Sequence, residues 1–69
     1  MKTVENPFGP FDYIVTGKNE DAAAAELSAK LDHILHLPSA WGWNAADDLH
    51  AAVRLTAEKY GVEIKTTLD

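Results

Sequence analysis

Proline and glycine cut this chain into segments before any other feature comes into play. Pro7 and Pro10 sit in Asn6-Pro7-Phe8-Gly9-Pro10, Pro38 follows Leu37, and Gly17 and Gly61 close the segments before them. Each proline lacks an N–H and pushes the residue before it out of helical geometry. Residues 1–10 therefore read as an irregular N-terminal arm, pinned by Val4 and Phe8, with a single α+β domain over 11–69. Two windows without proline remain that are long enough for helices, one ending at Leu37 and one beginning at Asn44.

Local pattern assigns those windows and what flanks them. Phe11-Asp12-Tyr13-Ile14-Val15-Thr16 is aromatic and β-branched and predicts a strand with Phe11, Tyr13 and Val15 on one face. Ile14 breaks the polar alternation of the other face. Asn19 is a suitable N-cap, followed by Glu20 and Asp21, where the helix dipole favours negative charge. The first helix then carries a core stripe of Ala24, Leu27, Leu31, Ile34 and Leu35. Glu26 and Lys30 form an i,i+4 pair in the favourable order.

Asn44 caps the second helix, with Asp47 three residues on. Its inner stripe is Leu49, Ala52, Val53, Thr56, Ala57 and Tyr60. Gly61 falls where a left-handed residue ends a helix, and Val62 is placed to fold back on the last turn. Val62, Ile64, Thr66 and Leu68 alternate with polar residues and predict a strand with one buried face. The expected fold is a small two-layer β-α-α-β domain, with two antiparallel helices packed on a two- or three-stranded antiparallel sheet. A two-stranded sheet is marginal, so residues 1–6 or a second copy are the sources of further strands.

Size sharpens this. The chain has 69 residues, and 11 of its apolar side chains are alanines that bury little area. With no cysteine there is no disulfide to staple it and no Cys-ligated zinc or iron–sulfur site. Domains of this kind lean on idealised helices, a partner or self-association, and a homodimer is one such solution.

Charge narrows the partner. Eleven acidic residues stand against six basic ones, a net charge of −5. Proteins that bind nucleic acid or anionic membranes gain affinity by neutralising phosphate with Lys and Arg, so neither is expected as a direct partner. No apolar run approaches the roughly 20 residues of a membrane span. Residues 1–20 hold no signal-type core, so a cytoplasmic protein is expected.

Catalytic chemistry finds little to work with. Ser28 and Ser39 lack GxSxG context, and no Gly-rich phosphate loop occurs. Asp47 and Asp48 are adjacent on a helix and so point about 100° apart. No enzyme activity and no cofactor are expected. His33 and His36 share a helix face and could join a carboxylate in a metal site, but no HExxH pattern supports one. His50 lies apart on the second helix.

Trp41 and Trp43 have two readings: they close the open end of a small core, or at least one stands exposed as a binding anchor. They flank Gly42 between the helices, and at i,i+2 spacing in an extended segment both point the same way. Tryptophan is enriched at interface hot spots. Asp47 and Asp48 stand beside them, and the four together are the candidate partner-binding residues. Leu37 and Leu55 fall off the inner stripes, and with Ala29 and Ala51 they make a thin apolar outer surface suited to dimerisation or partner docking.

The β-α-α order resembles the ribbon-helix-helix repressors, which implies a DNA-binding regulatory dimer. The chain departs from that pattern because Phe11–Thr16 carries Asp12 and no Lys or Arg. In composition the whole chain looks like the small acidic phage-encoded inhibitors of bacterial machinery, anti-CRISPR proteins and DNA mimics among them. That resemblance implies a non-enzymatic module that binds and blocks a protein partner, one with a basic or nucleic-acid-handling surface. The regulatory dimer and a His/carboxylate metal-binding protein are the alternatives.

Overall fold

The computed structural model describes residues 1–36 and 45–68. The elements run β1 (Lys2–Val4), β2 (Tyr13–Thr16), α1 (Glu20–Leu35), α2 (Ala45–Tyr60) and β3 (Glu63–Thr66). The strands form one antiparallel sheet in the order β1-β2-β3. This is the α+β architecture expected, with the third strand supplied from the N-terminal residues.

Residues 1–10 are thus irregular only in their second part. Val4 pairs with Tyr13 and Lys2 with Val15 across the β1–β2 ladder. Pairing ends before the prolines, and the chain reverses through a turn in which the Phe8 N–H donates to Asn6 Oδ1 at 3.1 Å. The Asn6 side chain is buried there. It takes up a backbone donor that the proline-rich segment cannot pair in a ladder.

The central strand is β2. Its inner face carries Tyr13 and Val15, both buried, and Phe11 packs edge-on against the Tyr13 ring with centroids 5.7 Å apart. Phe11 and Asp12 lie outside the strand, which begins at Tyr13. Asp12 is still tied to the far edge: the Thr67 N–H donates to its carbonyl at 2.9 Å, and its own N–H donates to Thr67 Oγ1 at 3.0 Å. Ile14 points outward between Thr3 and Lys65 and is half-buried by those neighbours.

Helix α1 lays Ala23, Leu27, Leu31 and Ile34 into the core, with Leu27 and Leu31 almost wholly enclosed. The expected stripe is right in phase but off at both ends. Ala23 is the buried alanine, because i+4 steps back from Leu31 and Leu27 reach it, while Ala24 and Leu35 are half-buried at the flanks. From α2, Ala52 and Thr56 are buried and Leu49, Val53 and Tyr60 pack around them.

Two local expectations meet different outcomes at the helix ends. Asn19 makes no side-chain cap to α1; its amide donates instead to the Tyr60 carbonyl at 3.1 Å. The start of α1 is thereby fastened to the end of α2, a tertiary use of a residue suited to local capping. Gly61, by contrast, takes φ 63°, and the Val62 N–H donates to the Ala57 carbonyl at 3.1 Å. That is the Schellman closure, and buried Val62 supplies the apolar contact that accompanies it. Val62 also passes Gly17 closely: a Cβ there would meet its Cγ1 at 3.1 Å. Beyond β3 the alternation stops mattering, since Leu68 is 69% exposed rather than buried.

Leu27→Ala should cost about 3 kcal/mol, the central range for a leucine deleted from a closed core. Leu68→Ala should change stability by no more than about 0.5 kcal/mol. Urea denaturation of both variants checks this; equal effects would contradict the core described.

Candidate functional site

The two helices are antiparallel, so residues far apart in sequence face each other across their seam. Glu26 of α1 stands opposite the last turn of α2. Its Oε1 accepts from Lys59 Nζ at 2.7 Å and from the Tyr60 hydroxyl at 3.0 Å, and Lys30 Nζ approaches Oε2 at 3.4 Å. Lys30 also reaches buried Thr56, donating to its Oγ1 at 3.4 Å. The i,i+4 pair expected within α1 is therefore one part of a five-residue cluster spanning both helices. The hydrogen bond from Lys59 leads the effects that hold the Glu26 carboxyl below its ordinary range, outweighing partial burial that pushes the other way. The same bond raises the Lys59 ammonium above its usual value.

This cluster closes one end of an open groove of about 470 Å³ on the helix face turned away from the sheet. Ala29 and Ile34 form its α1 wall and Ala51, Ala52 and Leu55 its α2 wall. The small alanine side chains at these positions fill little of the space between the helices and leave a shallow trough. Leu55 is 49% exposed on its rim, one of three large apolar side chains left in solvent among the described residues. At the opposite end the groove is bounded by His33 and Asp48.

The sequence-predicted recognition residues divide here. Trp41 and Trp43 lie outside the described residues, as do Leu37 and the expected Asn44 cap. Asp47 and Asp48 are exposed in the first turn of α2, and neither forms an ion pair among the described residues. Asp48 borders the groove. The structure thus brings Ala29, Ala51, Leu55 and Asp48 to one surface.

The histidines do not converge. His36 Nδ1 lies 2.8 Å from the Asp32 carbonyl oxygen and 3.8 Å from its carboxylate, while exposed His33 and His50 lie on separate helices. Among the described residues, no group of three or more His, Cys, Asp or Glu could hold a metal ion. Among them too, no helix is long and apolar enough to cross a membrane. Glu20 and Asp21 sit at the opposite end of the helix layer from Asp47 and Asp48, so these acids form two patches.

Sequence reading missed the roles of Thr56, Lys59 and Tyr60 in the Glu26 cluster. The signal was present in the antiparallel pairing, which sets position 26 against the end of the second helix. No protein-family model, curated protein or solved structure matches the chain.

The Glu26 cluster has a pH signature. Because the folded carboxyl titrates below its unfolded value, its contribution is complete above the unfolded value and is lost as pH falls through the folded one. The gap in melting temperature between the natural chain and Glu26→Gln should be widest near neutral pH. It should close on acidification below the ordinary carboxyl value of 4.5. A gap that stays constant down the acid limb would mean that the carboxylate charge does not hold the helices together.

Proposed function

We propose that this domain is a non-enzymatic interaction module that docks a protein partner on the outer face of its helix pair. The single observation that carries this reading is the apolar groove between α1 and α2, with half-exposed Leu55 on its rim. Contiguous apolar surface of this kind is where partners bind. A ridge of apolar side chains on a partner helix fits such a trough, covering Leu55, Ala29 and Ala51, the apolar lining residues still open to solvent.

The chemistry of the partner follows from charge. A net charge of −5, with Asp47 and Asp48 free of ion pairs among the described residues, favours a partner that is basic beside its apolar ridge. Proteins that handle nucleic acid present such surfaces, and an acidic module seated there would block access to them. Trp41 and Trp43 precede in sequence the helix that carries Asp47 and Asp48 and are proposed as further partner-binding residues.

The test uses exposed positions that leave the core intact. Ala29→Glu with Leu55→Asp should change stability by less than about 1 kcal/mol in total. The double variant should lose, by at least about tenfold, the protein that the natural chain captures from its source cells. Asp47→Asn with Asp48→Asn should slow capture and flatten its salt dependence. The same captured proteins at the same yield with the groove variant would end the reading. Trp41→Ala with Trp43→Ala tests the tryptophans separately.

A further inference from the structure

A second cleft lies on the other side of α2, between that helix and strands β2 and β3, and encloses about 430 Å³. Its walls are apolar and partly aromatic: Phe11 and Tyr13 from the β2 side, Val53 from α2 and Ile64 from β3. Its polar members are cationic or neutral. His50 and Arg54 stand one turn apart on the same face of α2, and Lys65 and Thr66 border the mouth. No Asp or Glu is among the described residues lining it, in a chain with 11 of them.

Arg54 is the chain's single arginine. Lys2, Lys30, Lys59 and Lys65 each form an ion pair with a carboxylate, whereas Arg54 forms none among the described residues. Lys65 is engaged with Glu63 at 3.1 Å on the outer face, so Arg54 is the cation left for the cleft. The largely buried Tyr13 ring forms part of the cleft wall beside Phe11. A planar guanidinium is matched to a carboxylate, which it can hold through two parallel N–H donors. Concave apolar walls with a few convergent polar groups are the general form of a small-molecule site.

We infer that this cleft binds a small organic anion, a carboxylate carried on an aromatic or branched apolar body. Arg54 takes the carboxylate, His50 completes its hydrogen bonding, and Phe11, Tyr13, Val53 and Ile64 hold the apolar part. The site stands apart from the helix groove, since α2 offers His50, Val53 and Arg54 to the cleft and Ala51, Ala52 and Leu55 to the groove.

Phenylacetate is a suitable probe, followed by two-dimensional amide NMR of the isotope-labelled chain. The expected result is saturable shifts at His50, Val53, Arg54 and Ile64, with a Kd of about 1 mM for a ligand of this size. Phenylacetamide, which keeps the ring and loses the charge, should bind at least about tenfold more weakly. Arg54→Gln, at an exposed position, should weaken phenylacetate by about tenfold or more while its spectrum stays dispersed. Ala29→Glu with Leu55→Asp should leave phenylacetate binding unchanged, which separates this site from the groove. Absence of saturable shifts, equal binding of phenylacetamide, an equal response to inorganic phosphate alone, or unaltered binding by Arg54→Gln would each overturn the proposal.

Discussion

The packing of one helical stripe onto one strand is the contact on which the rest depends. Leu27 and Leu31 of α1 meet Val15 of β2 with almost no solvent left around them. Each such side chain contributes roughly 1.5–3 kcal/mol by leaving water. In a chain with no disulfide and many alanines, few other residues supply comparable area. Every other element is positioned against this contact. β1 and β3 flank β2 on its two sides, α2 lies along α1, and the Glu26 cluster and the Asn19–Tyr60 bond fasten the helices to each other.

That arrangement places two open surfaces on either flank of α2. Small side chains at the α1–α2 seam leave a trough on the outer face. On the sheet side, the span between α2 and the edge strand β3 leaves a cleft that Phe11, Tyr13, Val53 and Ile64 only partly fill. Both follow from a core too small to cover its own helices fully, a general consequence of domain size. The groove is apolar with an acidic end, and the cleft is apolar with a basic wall. The two differ in charge although they share a helix.

Much of this fold was legible in the sequence because period and punctuation agreed. The leucine spacing of α1, the Gly61–Val62 ending of α2 and the alternation after it each point to one local structure. What was not legible came from side chains with a choice of partners. Asn19 suits a helix cap, yet the Tyr60 carbonyl is within reach only once the helices are antiparallel. Glu26 reads as the partner of Lys30, while Lys59 and Tyr60 join it through tertiary packing. Residues 1–6 are one of two sources open for a third strand, and Lys2–Val4 takes that place because β2 offers an unpaired edge. Of the candidate site, the apolar outer positions Ala29, Ala51 and Leu55 could be read from helical phase. The cleft around Arg54 could not, because it joins residues from three elements.

The chain order gives this fold a natural seam. β1, β2 and α1 all precede residue 37, and α2 and β3 all follow residue 44. Across the break the halves are joined by the β2–β3 ladder, the helix packing and the polar contacts of Glu26 and Asn19. Severing the backbone between the helices would leave two peptides, each with one helix and part of the sheet. Neither can bury its apolar stripe alone, so their reassembly would be a binding reaction whose strength measures how firmly the two halves of the domain are held together.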